Sequence, residues 1–366
     1  MSRRDDPATE PHPPAERPAG GGPAPAAEAP ALLGRASGIG SWPEQDPLEA
    51  ARTVLGELGP APGLPHVVEM PGRGPGAEAV GRAAALLVEL PVDLQPSGWR
   101  FVDHPGRDLE RARSYRRADL DALAEAADGY AGELKAQVTG PWTLAASVRL
   151  GRGERSTTDP GARRDVVASL AEGVREHLAE VARAVPGARL VLQLDEPSLA
   201  AVLDGRLRRS SGFGHLEPVP AEEVEAGLGA VVDAARGAGA RHVLVHSCAD
   251  DVPFAVLRRS GADGLAVDLS RLRAAGWESV AVAVEEGQRL WAGLDVADPR
   301  GSAASVDRLV EAVREPWRRV GLPPAGLADV VVTPACGLAG SSPAAARASL
   351  ARLREVPDAL ADAAQA

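Results

Sequence analysis

LVLQL at residues 190–194, AEEVEAGLGAVVDAAR at 221–236 and HVLVHSC at 242–248 form the stretch whose reading decides the fold. The outer two are short apolar runs, and between them Val224, Leu228, Val231, Val232 and Ala235 recur at helical spacing. Strand, crossover helix, strand is the repeating unit of a parallel sheet. The alternation continues in both directions. Further apolar runs at Arg35–Gly40, His66–Met70, Leu134–Thr139, Gly264–Val267, Leu290–Gly293 and Val330–Thr333 bring the expected strands to eight. Helical patterns lie between them at Asp46–Glu57, Gly76–Leu87, Arg117–Gly132, Pro141–Arg149, Arg163–Val185, Val252–Ser260, Ser270–Glu286, Ser305–Val320 and Pro343–Ala364. Ser302 to Ser305 and Ser342-Pro343 are natural helix starts. Eight strands with crossover helices predict a (β/α)8 barrel, a single α/β domain over residues 31–366. An open doubly wound sheet is the alternative. Val88–Arg116 and Gly205–Glu217 carry few periodic positions and read as insertions beside the barrel mouth.

Residues 1–30 hold eight prolines and no aliphatic side chain larger than Ala after Met1, so this segment is expected to be a disordered tail. Arg3-Arg4 is followed by no apolar export region, which predicts a cytoplasmic protein. Apolar residues make up 45% of the chain, but no run is long enough to cross a membrane. The net charge of −11, with no basic stripe, argues against nucleic acid as a partner. Lys135 is the one lysine among the 40 Lys and Arg residues. Two cysteines make no disulfide framework in a reducing compartment; they are either buried thiols or metal ligands.

Barrel chemistry is done just beyond the carboxyl ends of the strands. There the sequence places Gly40-Ser41, Glu69-Met70-Pro71, Thr139-Gly140-Pro141, Asp195-Glu196-Pro197, His246-Ser247-Cys248, Asp268-Leu269-Ser270, Gly293-Leu294-Asp295 and Ala335-Cys336-Gly337. His246 and Cys248 are two apart and leave the same face of an extended chain, Cys336 ends the last strand, and Asp268 ends the sixth. Together they make a candidate Zn²⁺ site. Two thiolates and a carboxylate against Zn²⁺ leave such a site near −1. That suits a bound thiolate better than water activation. A free thiol of pKa about 8.5 is only ~3% ionised at pH 7, so coordination raises the nucleophile roughly 30-fold, and positioning must supply the rest.

Ile39-Gly40-Ser41, Thr139-Gly140-Pro141, Asp195-Glu196-Pro197, His246-x-Cys248, Ala262-Asp263 with Asp268-x-Ser270-Arg271, and Pro334-x-Cys336-Gly337 resemble, in this order, the catalytic barrel of cobalamin-independent methionine synthase. The likeness spans about residues 33–345. It implies that His246, Cys248 and Cys336 bind Zn²⁺, and that Zn²⁺ holds homocysteine for methylation to methionine. By the same likeness Ile39, Ser41, Glu69 and Asp195 bind the amino acid. An acidic pair facing the α-amino group is sound chemistry, since charge-assisted hydrogen bonds discriminate strongly.

Three features depart from the family. Asp268 stands where the family has Glu. Ala297, in Asp295-Val296-Ala297-Asp298-Pro299, stands where it has a proton-donating His. Within this sequence only the tail precedes the barrel, where the full-length family enzyme has a second barrel that helps hold folate. The donor is therefore left between methyltetrahydrofolate, which needs that proton, and a methylated corrinoid protein, which does not. Two alternatives are another small thiol of the coenzyme M kind and a metal-free uroporphyrinogen decarboxylase-like reaction. Asp195 and Glu196 are adjacent on a strand and face opposite ways, which excludes a glycosidase pair. His242 reads as structural, and Trp42 and Trp142 either stack on a flat donor or pack the barrel mouth.

Overall fold

The computed structural model describes residues 33–151, 153–296 and 304–365. Its strands are β1 (Ala36–Ser37), β2 (Gly63–Leu64), β3 (Val92–Gln95), β4 (Gly98–Phe101), β5 (Glu133–Thr139), β6 (Arg189–Asp195), β7 (His242–Ser247), β8 (Gly264–Asp268), β9 (Arg289–Leu294) and β10 (Val331–Pro334). Eight of them pair in the order β2-β1-β10-β9-β8-β7-β6-β5, every pairing parallel. A parallel bridge between His66 and Lys135 joins the two ends of that order. There Val67 N donates to Lys135 O at 2.8 Å and Lys135 N to Pro65 O at 2.9 Å. The result is the (β/α)8 barrel that the alternating pattern predicts.

The helices are α1 (Pro47–Leu58), α2 (Ala79–Ala84), α3 (Arg107–Ala126), α4 (Pro141–Ser147), α5 (Pro160–Ala184), α6 (Leu199–Leu203), α7 (Ala221–Gly237), α8 (Phe254–Arg259), α9 (Ala274–Glu285), α10 (Val306–Arg319), α11 (Pro343–Leu353) and α12 (Val356–Gln365). Several start on chemistry that the sequence carries openly. Asp46, Asp159 and Ser342 each accept from the first helical turn and are followed by Pro at its first position.

Period-two geometry divides each barrel strand between two cores. Leu190, Leu192, Leu194, Val243, Val245, Leu265 and Val267 face the helices and join the large outer core. Residues of the opposite parity face inward, where Leu64, Val191, Leu244, Ala266, Trp291 and Val331 form a separate apolar plug. Above this plug the inward positions turn polar. The register sets Thr139, Asp195 and His246 level with one another across β5, β6 and β7.

The elements differ from expectation in four places. The second strand is regular only at Gly63–Leu64, and His66–Met70 pairs through the single bridges His66↔Lys135 and Ser41↔Glu69, because Pro65 interrupts the ladder and donates no hydrogen bond. The Val88–Arg116 insertion contains the antiparallel hairpin β3–β4, and α3 begins at Arg107 rather than Arg117. The expected final helix Pro343–Ala364 is two helices, since Pro357 cannot donate to the preceding turn. A short helix, α6, follows Asp195-Glu196-Pro197 where none was expected. The tail at 1–30, Ser302 and Ala297 lie outside the described residues.

Both insertions meet at Arg149. Its backbone pairs with Trp99 and Phe101 of the hairpin, and its guanidinium bonds to Ser97 O and to Ser210 of the second insertion. Among the described residues no helix is long and apolar enough to cross a membrane.

Candidate metal centre and amino-acid subsite

His246 ends β7 facing inward and is 4% exposed. Its Nδ1 lies 2.7 Å from Asp195 Oδ1 on the neighbouring strand. Its Nε2 is buried with no hydrogen-bond partner. A buried ring nitrogen without a partner costs free energy unless something else takes its lone pair or proton.

Two residues on, half-buried Cys248 neighbours exposed Cys336, which arrives just past the end of β10. Each sulfur acts on the ionisation of the other. The Cys248 thiol, together with the Gly337 N–H and nearby His246, lowers the Cys336 pKa to about 6 against the cost of burial. The same proximity, with burial, pushes Cys248 up. One nitrogen and two sulfurs thus lie at the carboxyl ends of β7 and β10, on the same rim of the barrel, a donor set whose softness matches Zn²⁺. The arrangement is open: among the described residues no three His, Cys, Asp or Glu side chains stand close enough to form a finished metal cluster. The buried, unpartnered Nε2 is nevertheless what a metal ligand requires, and the Asp195 contact on Nδ1 is the usual outer partner of such a ligand.

Asp268 shares the inward-facing rim, but its oxygens are engaged within its own turn. Oδ1 accepts from Ser270 N at 2.9 Å and Ser270 Oγ at 2.6 Å, while Oδ2 accepts from Arg271 Nε at 3.1 Å. It is the one member of the expected ligand set committed elsewhere.

The residues expected to grip an amino acid come together around Asp195. Glu69 is buried, 3.4 Å from Arg82 Nε; burial raises its pKa, and Arg82 works against that rise. Arg82 and Arg73 both hold buried Asp119, so the loop after β2, α2 and α3 are locked by charge behind Glu69. The Ile39 carbonyl faces the barrel interior and accepts from Lys135 Nζ at 3.1 Å and Gln193 Nε2 at 2.9 Å. Ser41 sits against the Cys336 loop: a Cβ added to Gly337 would fall 1.9 Å from Ser41 Oγ.

Glu196 faces the other way. Fully buried, it accepts from Trp142 N (2.9 Å), Thr143 N (2.8 Å) and Thr143 Oγ1 (2.7 Å) at the start of α4. Trp142 and Trp42 are each 1% exposed, and Trp142 Nε1 donates to Val224 O, so both pack rather than stack on a ligand. The functional layer that sequence reading missed is the polar set Lys135, Gln137 and Gln193. Its signal was present as polar residues at alternate positions of otherwise apolar strands, 135-137-139 and 193-195.

Comparison with known proteins bears on the family and the fold. A family model described as the catalytic domain of cobalamin-independent synthase matches residues 35–359. No curated protein matches the sequence. The fold is similar to a B12-independent methionine synthase from Shewanella sp. W3-18-1, solved in complex with selenomethionine, at TM-score 0.57 and 14% identity, covering 90% of this chain and 98% of that one. A β-galactosidase from the psychrophilic Marinomonas ef1 is similar at TM-score 0.44 and 13% identity, over 90% of this chain and 60% of that one. With a family model spanning nearly the whole barrel, this chain belongs to the cobalamin-independent methionine synthase catalytic-domain family.

Proposed function

We propose that the protein is a zinc-dependent S-methyltransferase that converts homocysteine to methionine. The observation that carries this reading is His246: Nδ1 is held by Asp195 while Nε2 is buried and bare, with Cys336 and its lowered pKa nearby. Zn²⁺ would be held by His246 Nε2, Cys248 and Cys336, and when bound supplies a Lewis acid that keeps the acceptor thiol ionised at neutral pH. Asp268 would join only by giving up Ser270 and Arg271.

Asp195 leaves one oxygen for the substrate. Its two hydrogen bonds fall on Oδ1, from Gln193 and His246, and Oδ2 receives none from the described residues. Oδ2 and Glu69 are the groups that face an α-ammonium. Such a cation also offsets the burial that raises the pKa of Glu69. Ser41 bridges Glu69 through its backbone and sets its hydroxyl against Gly337, the neighbour of Cys336.

The methyl donor is methyltetrahydrofolate or a methylated corrinoid protein. Ala297 in place of a proton-donating His favours the donor whose leaving group needs no acid. The membership of the family supports thiol methylation over the decarboxylase alternative.

Expression in a methionine auxotroph tests the reading. Growth without methionine, lost on Cys248→Ala, and about one zinc per chain in the purified protein are the expected results; a metal-free protein that still rescues growth refutes it. Asp195→Asn tests the acceptor. It keeps an oxygen for His246 and Gln193 but turns an NH2 group towards the ammonium, so KM for homocysteine rises while zinc is retained. An unchanged KM points to a thiol without an amino group.

A further inference from the structure

Lys135 is the one lysine of this chain, in a protein that otherwise uses arginine for every basic position, and it is wholly buried inside the barrel. Its ammonium donates to three neutral acceptors: Ile39 O at 3.1 Å, Gln137 Oε1 at 3.4 Å and Gln193 Oε1 at 2.8 Å. An ammonium has three donors and no acceptor. Both glutamines must therefore turn their carbonyl oxygens towards it and their NH2 groups away.

The two NH2 groups lead to the two acidic residues of the site. Gln193 Nε2 donates to Asp195 Oδ1 at 2.8 Å and to Ile39 O at 2.9 Å, which uses both of its hydrogens. Gln137 Nε2 donates to Val67 O at 2.7 Å, and the Gln137 side chain lies near enough to Glu69 to oppose the rise in its pKa. Because Asp195 Oδ1 receives a hydrogen from Gln193, it acts there as an acceptor, and it meets His246 Nδ1 at 2.7 Å in the same role. The ring proton is then on Nδ1, and Nε2 carries the lone pair. A neutral imidazole left to itself can carry its proton on either nitrogen.

We propose that Lys135, acting through Gln193, is the positioning residue of this hydrogen-bond chain: by fixing the Gln193 amide with its NH2 towards Asp195, it holds Asp195 Oδ1 against His246 Nδ1 and so presents His246 Nε2 bare for the metal. The bias of composition fits this role. A compact ammonium satisfies three converging acceptors, whereas the planar five-donor fork of arginine would leave buried donors unpaired. This inference rests on the reading of His246 as a ligand, and its test separates the two.

The experiment uses full-length, metal-free protein with ¹⁵N-labelled histidine. Long-range ¹H–¹⁵N spectra report which ring nitrogen of His246 is protonated, the signals being identified by their loss in His246→Gln. Wild type is expected to show one tautomer, protonated at Nδ1. Lys135→Met and Gln193→Met are expected to show mixed tautomers and a zinc Kd, from chelator competition, weakened roughly 10- to 100-fold as for lost outer partners of metal ligands. A pure Nδ1–H tautomer with unchanged zinc Kd in the variants overturns the proposal. If Lys135→Met does not fold, Gln193→Met, which removes only the amide link, decides by the same two readouts. If wild type binds no zinc, the proposed function falls, and the tautomer of the metal-free ring still decides this inference.

Discussion

Gly140→Ala is a substitution of one methyl group at a residue whose backbone accepts any amino acid, with φ −69° and ψ 167°. The added Cβ would lie 2.4 Å from Glu196 Oε1, 2.6 Å from its Cδ and 2.7 Å from its Cγ. Glu196 has no room to yield, because it is fully buried and its carboxylate receives three hydrogen bonds from Trp142 and Thr143. Each such bond to a charged group is worth about 1.5–3 kcal/mol, less than additively, and overpacking adds ~1–3 kcal/mol. A total loss of about 3–5 kcal/mol is expected, which at roughly 2 °C per kcal/mol for a large domain lowers Tm by ~6–10 °C. Gly56→Ala is the control. Gly56 lies within α1 with nothing within 4 Å of its Cβ position, so the same chemical change should stabilise by about 0.5–1 kcal/mol. Differential scanning calorimetry and urea titration of both variants provide the measurement. A Gly140→Ala protein within about 1 kcal/mol of wild type would refute the steric reasoning.

Burial raises the Glu196 pKa from 4.5 to about 7. Between these values the native protein holds a proton that the unfolded chain has lost, so stability falls as pH rises through this window, by about 3 kcal/mol in all; the wild-type minus Glu196→Gln difference, taken from urea titrations across it, should carry that slope. Asp119→Ala takes the buried carboxylate from Arg73 and leaves Arg82 with Glu69 alone, and should cost about 3–5 kcal/mol in urea unfolding. With Cys336 at about 6, some nine-tenths of it is thiolate at pH 7, so iodoacetamide should modify Cys336 well before Cys248 in metal-free protein, read by peptide mass spectrometry. Cys248→Ala removes the neighbour that lowers the Cys336 pKa and should slow that labelling; equal rates at both sulfurs in the unsubstituted protein would contradict the opposed shifts of the two thiols.

The barrel was legible in the sequence because its strands are buried on both faces and its helices are amphipathic, so period and run length point to the same elements. The first half of α3 was not legible. Arg107–Arg116 buries only Leu109 and Ala112, and a helix that offers two small contacts leaves no apolar period to read. The second strand was misplaced by a few residues because its pairing is made by isolated bridges around Pro65. At the site, the strand-end positions put forward His246, Cys248 and Cys336 as candidate ligands, since ligand types at strand ends are rare, and the family resemblance strengthened that reading. Spacing could not reveal that both oxygens of Asp268 are used by residues two and three positions on, for that depends on side-chain direction in one tight turn. Nor did it assign the interior polar layer: Gln137 and Gln193 are ordinary residues until a single buried ammonium fixes which way their amides point.

Asp195-Glu196 shows how one dipeptide can serve chemistry and architecture through strand parity. Asp195 faces inward and holds His246; Glu196 faces outward and holds the start of α4. Thr139-Gly140-Pro141 is the complementary half. Thr139 is level with Asp195 in the β5–β6 register, Gly140 leaves space for the Glu196 carboxylate, and Pro141 opens the helix whose N–H groups Glu196 takes. The outward lock therefore fixes the register that brings Lys135, Gln137 and Gln193 beneath Asp195. A substitution at Gly140, whose N–H donates to Asp195 O at 2.9 Å, therefore reaches the proposed ligand His246 through the relative height of β5 and β6. The hydrogen bonds of the polar layer span only 2.7–3.4 Å, so a displacement of about 1 Å between those strands is enough to break them.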